Sequence, residues 1–135
     1  MVVEYAAQHT SDDAVEPHVT VNTVLGELMR YEEILGVVAV SVEGLVIGSA
    51  GFPDDDAEFL SVLGSSLVGV AERSTRRIGA GSALGMSIVA NDGMVTVRNG
   101  GSFALTIVSE QADGALLTVA SQEAMTRIAA FLNPI

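Results

Sequence analysis

Imidazoles, carboxylate runs, guanidinium clusters and glycine-rich turns are the first places to look for chemistry, and this chain has one example of each. Its two histidines, His9 and His18, both fall in the stretch MVVEYAAQHTSDDAVEPH. That stretch shows no sustained apolar period and closes on Glu16-Pro17-His18, so it reads as a flexible tail over residues 1–18. Two imidazoles on such a tail lack the rigid frame a metal site needs. Asp54, Asp55 and Asp56 would suit a hard divalent cation, but no further oxygen ligands follow at a cation-loop spacing. Three acids ahead of an apolar period also suit a helix start, where they can cap free N–H groups and oppose the positive end of the dipole. Gly79, Gly81 and Gly85 in GAGSALG hint at a phosphate cradle, which requires a strand before it and a helix after it. Here a strand follows, so the segment reads as a loop. Arg73, Arg76 and Arg77 supply half of the six positive charges. They fit either a helix C-terminus or an acidic contact on a partner, including a second copy of the chain. There is no cysteine, no Gly-x-Ser-x-Gly elbow and no carboxylate pair at acid–base spacing. The expectation is no catalytic residue, no cofactor and no metal: a binding module rather than an enzyme.

Composition narrows the partners. Seventeen acidic residues against six arginines, with no lysine, leave a net charge of −11. Phosphate backbones and anionic lipid repel such a chain, which argues against nucleic acid and membrane surfaces. No apolar run reaches the length of a membrane span, and no basic-then-apolar leader is visible, so a cytoplasmic location is expected. The 135 residues are 49% hydrophobic. That is enough for one well-buried domain over residues 19–135, with apolar surface left over for self-association.

The elements that must carry any site follow from periodicity. From Thr20, Val21, Val24, Leu25, Leu28 and Leu35 keep a helical period with Glu27, Arg30, Glu32 and Glu33 outside, and Gly36 is the expected stop. Residues 37–42 form a β-branched run, Glu43-Gly44 a tight turn, and residues 45–49 the return strand. The first strand is apolar on both faces and should be covered on both. A helix from Asp54 to the arginine cluster comes next, closed by Gly79. Residues 84–90, 94–98 and 103–109 read as an antiparallel meander through turns at Asn91-Asp92-Gly93 and Asn99-Gly100-Gly101. Asp113 opens a last helix with Leu117, Ala120, Ala124, Ile128 and Phe131 inward, ending at Asn133-Pro134. The fold class is α+β in the order α-β-β-α-β-β-β-α, a three-layer α/β/α arrangement. The two terminal helices share one face of a five-stranded antiparallel sheet and the middle helix takes the other.

The middle helix has two unlike faces. Phe59, Leu63, Ser66, Leu67, Val70 and Ser74 lie on one side, flanked by Leu60 and Val62. Ala57, Ser61, Gly64, Ser65 and Val68 make the other side small and weakly polar. Either the helix is a loosely optimised amphipath with a tolerant exterior, or it packs on both sides, the smooth side receiving another helix. The second reading is preferred, since an exterior facing only water would carry Lys, Glu or Gln.

In this order, ILGVVAVSVEGLVIGSA at 34–50, DDDAEFLSVLGSSLVGVAERSTRRIG, GMSIVANDGMVTVRNGGSFALTIVSE and the helix opening Gly114-Ala-Leu-Leu resemble the Roadblock dynein-light-chain family from about Val19 to Leu132. Glu43 stands where the family more commonly has Asp in the first hairpin turn. The resemblance implies a profilin-like sheet and a homodimer in which middle helices pack together and third strands pair edge to edge. The interface is then expected at Ser61, Gly64, Ser65, Val68 and Glu72 of the helix and at Leu84, Met86 and Ile88 of the strand. The bacterial members of the family include regulators of Ras-like GTPases. The resemblance therefore implies a non-catalytic scaffold or regulator of a small Ras-like GTPase, with Arg73, Arg76 and Arg77 as candidate partner contacts. The alternative is a sensory domain holding a small molecule between sheet and helix.

Overall fold

Residues 17–111 and 114–132 are described by the computed structural model, and their elements follow the expected order. These are α1 (Pro17–Leu28), β1 (Ile34–Ser41), β2 (Val46–Ala50), α2 (Asp54–Arg77), β3 (Gly85–Ala90), β4 (Gly93–Asn99), β5 (Phe103–Ser109) and α3 (Gly114–Leu132). The strands form one antiparallel sheet in the order β2-β1-β5-β4-β3. Among the described residues no helix is long and apolar enough to cross a membrane. The tail expected over residues 1–18, with His9, lies outside the described residues as far as residue 16. Pro17 and His18 already belong to α1. Asp113, Asn133 and Pro134 also lie outside them.

Alternation along β1 and β5 builds two cores. Val37, Ala39, Phe103, Leu105 and Ile107 face the terminal helices, where they meet Val21, Val24, Leu25 and Leu28 of α1 and Leu117, Ala124 and Ile128 of α3. Each Val, Leu, Ile or Phe among them, once fully buried, contributes about 1.5–3 kcal/mol. On the opposite face Val40, Val97 and Ala104 pack with Leu67, Val68, Met86 and Val95 beneath α2. Val37, Val38, Ala39 and Val40 are all 0% exposed, which is the two-sided cover expected of this strand.

The first helix ends eight residues before the expected stop at Gly36. Beyond Leu28 the backbone tightens into three-residue turns, with Met29 N–H donating to Gly26, Arg30 to Glu27 and Tyr31 to Leu28. Leu35 matches the helical period only by coincidence and sits, exposed, in β1. Gly36 belongs to β1 as well, where the ring of Phe52 fills the space a Cβ would take.

The middle helix spans the residues its end signals predict. Its N-cap position is Pro53, which makes no side-chain bond, so Asp54, Asp55 and Asp56 act on the first turn through charge rather than by capping. At the other end Gly79 adopts φ +78°. There Ala80 N–H bonds Thr75 C=O at 2.7 Å and Gly79 N–H bonds Arg76 C=O at 3.1 Å, a Schellman closure that needs a left-handed residue.

Candidate interaction surface

The side of α2 that lies on the sheet is the small one. Ala57, Ser61 and Gly64 are its buried residues. Ser61 Oγ lies 3.1 Å from the carbonyl of Gly44 and 2.8 Å from that of Glu58, tying the β1–β2 turn to the helix. At Gly64 a Cβ would intrude on Thr106 Oγ1 of β5, so glycine sets how near the helix can come. This corrects the expected interface: Ser61 and Gly64 face the chain's own sheet and are unavailable to another helix. Ser65 and Val68 are half-buried beside them and line a shallow groove with Ser41, Phe103 and Ala104. That groove is about 190 Å³, short of the ~300 Å³ at which small-molecule sites begin.

The outward side of α2 is apolar. Phe59 is 67% exposed and Val62 61%, and Val70 continues the stripe past Ser66 at helical spacing. Sequence reasoning missed this stripe by placing its apolar residues inward. The available signal was that a helix lying close on a sheet needs its smallest side chains underneath. The same helix starts with Asp54, Asp55 and Asp56 and finishes with Arg76 and Arg77 in its last turn. Arg73 and Arg77 are exposed, while Arg76 donates to Ser82 Oγ at 2.8 Å and approaches Glu72 at 3.4 Å.

Glu72 also departs from its expected place at an interface. Its Oε1 accepts the Ala83 N–H at 2.9 Å and its Oε2 lies 3.5 Å from Asn99 Nδ2. Asn99 Nδ2 in turn donates to the Ala83 carbonyl at 2.9 Å, and its Oδ1 accepts Gly101 N–H at 3.0 Å. The pair clamps the loop that delivers the chain into β3.

β3 is the last strand of the sheet, and among the described strands it pairs with β4 alone. Leu84, just ahead of it, is 77% exposed. Ile88 and Val89 are also exposed, and Met86 turns under α2 into the second core. The exposed strand thus adjoins the layer that carries the α2 stripe. On the far face, the Arg127 guanidinium of α3 bonds Glu27 of α1, holding the Glu27 carboxyl below its ordinary range and raising Arg127. Among the described residues no three His, Cys, Asp or Glu side chains gather as metal ligands would.

Comparison with known proteins places this geometry. The family model described as the Roadblock/LC7 domain matches residues 20–109. Two uncharacterised proteins of Methanocaldococcus jannaschii are each 31% identical over 90 residues, 67% of this chain and 79% of theirs. Among solved structures, a Roadblock/LC7 domain from Streptomyces avermitilis superposes with a TM-score of 0.78 at 20% identity, covering 82% of this chain and 96% of its own. Myxococcus xanthus MglB reaches a TM-score of 0.79 at 17% identity, over 92% of this chain and 96% of its own. At these identities the structural matches speak for the shared fold.

Proposed function

The chain belongs to the Roadblock/LC7 domain family, and from that premise we propose that it is a non-catalytic homodimeric module. Its role in this reading is to regulate or scaffold a small Ras-like GTPase in the cytoplasm of a bacterial signalling system. The observation that carries the reading is the outward stripe of Phe59, Val62 and Val70 beside the free edge of β3. An apolar stripe on a −11 chain, next to unpaired backbone, is a surface that water leaves unsatisfied. The charges on α2 are self-complementary. Two copies of the helix laid antiparallel bring the Asp54–Asp56 end of each to the arginine end of the other, where Arg73, Arg76 and Arg77 gather. The interface expected earlier at Ser61, Gly64 and Glu72 is accordingly reassigned to Phe59, Val62, Val70, Leu84 and Ile88. The dimer then offers a client a surface built from both copies, with an expected contact of about 1,200–2,000 Å². Net charge makes association with a basic patch on the GTPase weaken as salt rises.

Light scattering tests the dimer. Wild type should run at twice the chain mass at micromolar concentration, and Phe59→Asp should run as a folded monomer. A wild-type monomer refutes the homodimer. The client is tested by binding a Ras-like GTPase encoded nearby, in GDP and GTP-analogue forms at two ionic strengths. Binding to neither form leaves a scaffold with a different client.

A further inference from the structure

The two rims of the sheet are finished differently. β2 lies under α1 so closely that a Cβ on Gly48 would sit 2.5 Å from Asn22 Oδ1 and 2.9 Å from Val21 Cγ1. This approach brings the Asn22 carboxamide to the rim, where Oδ1 accepts the Ser49 backbone N–H at 3.0 Å. Ser49 stands opposite Val38 of β1 yet gives its N–H to Asn22, so that N–H is directed off the outer side of the strand. Pairing of β1 with β2 also shifts register between Ala39 and Val40, a bulge of the kind that spoils an edge as a template.

None of these devices protects β3. Its sequence, GMSIVA, has no charge and no proline, and its six pairs with β4 run without a shift. The Leu84 carbonyl accepts the Asn99 N–H of β4 at 2.9 Å. By alternation, the backbone groups of Gly85, Ser87 and Val89 therefore point away from β4. Among the described residues no hydrogen bond reaches those groups.

We infer that Asn22 makes association of this sheet one-sided: a second copy of the chain adds its strand at β3, and no further copy adds at β2. The β3 half of this statement rests on the homodimer reading. What it adds is the reason an assembly stops at two, since a sheet open at both rims would keep recruiting copies into an unclosed array.

The test compares wild type with Asn22→Ala and Asn22→Asp by light scattering across concentration and by amide hydrogen exchange. Asn22→Ala should exceed the wild-type mass at high concentration by at least about twofold, and its Ser49 amide should exchange roughly fivefold faster, as loss of one hydrogen bond implies. Asn22→Asp keeps an oxygen that accepts the N–H and should hold the wild-type mass. A folded Asn22→Ala whose mass matches wild type at every concentration overturns the inference. So does a wild-type Ser49 amide that exchanges as fast as an open one, a result that needs no variant to fold. A monomeric wild type refutes the homodimer reading alone. Growth of Asn22→Ala above that mass then supports the role of Asn22, and no growth overturns it.

Discussion

Replacing Gly64 with alanine sets two opposing effects against each other. In an isolated helix the change stabilises by about 1 kcal/mol, because glycine is the costlier residue in a helix interior. Here the new Cβ falls under 3.0 Å from Thr106 Oγ1, a separation real Cβ atoms do not tolerate. β5 runs between β1 and β4 and cannot retreat, so α2 must lift and loosen its contacts at Ala57 and Ser61. Overpacking costs about 1–3 kcal/mol, and a separation this far inside the limit belongs in the upper half of that range. The expected net loss for Gly64→Ala is about 1–2 kcal/mol, or a Tm lower by roughly 3–6 °C at this chain length. Thr106→Ala removes the obstructing oxygen and leaves the Thr106 Cβ 3.5 Å from the new methyl, an ordinary contact. In that background Gly64→Ala should therefore change sign and stabilise by about 0.5–1 kcal/mol, a coupling near 2 kcal/mol. Urea unfolding of the four proteins at one chain concentration measures it. An equal cost of Gly64→Ala in both backgrounds would refute the close packing of α2 on Thr106.

Two further outcomes follow from the polar contacts. Because Arg127 depresses the Glu27 carboxyl, the pair stabilises the fold above the carboxyl's unfolded pKa, and that stabilisation is lost as pH falls through the lowered folded value. The Tm gap between wild type and Glu27→Gln should be present at about pH 7, shrink with added salt, and close as pH falls through the lowered carboxyl value. A gap that persists in acid would mean the effect is not the ion pair. Asn99→Ala removes the bonds to the Ala83 carbonyl and the Gly101 N–H, so it should cost about 1–2 kcal/mol. It should also speed amide exchange at residues 79–84, and unchanged exchange there would show that Glu72 alone holds the loop.

Where local rules are strong, the sequence could be read closely. Asn91-Asp92 joins β3 to β4, β5 covers the predicted residues, and the acid start and Gly79 stop bracket α2. The end of α1 was not legible, because Leu35 falls on the period set by Leu28 and periodicity cannot sense the tightening at residues 29–31. The orientation of α2 failed for a different reason. A wheel separates Phe59, Val62 and Val70 from Ala57, Ser61 and Gly64, but it does not say which set meets the sheet. Water is excluded equally by a core and by an interface between chains, so apolar character alone names neither. Glu72 and Asn99 came together only through the turn back into β4, 27 positions apart, and pairwise spacing gave no sign of it.

The strand order also has a consequence for how the chain is made. β1 pairs on one side with β2, its hairpin neighbour, and on the other with β5, joining Ser41 to Phe103 and Ile34 to Ser109. At roughly 5–20 residues per second, synthesis leaves that second side without its partner for about 3–15 s. Throughout this interval the apolar run from Val37 to Val40, wholly covered in the finished fold, has no β5 to close it. Loop closure over such a span is also slow relative to local pairing. A run of side chains wholly covered in the native protein is thus the one most in need of shielding on the ribosome.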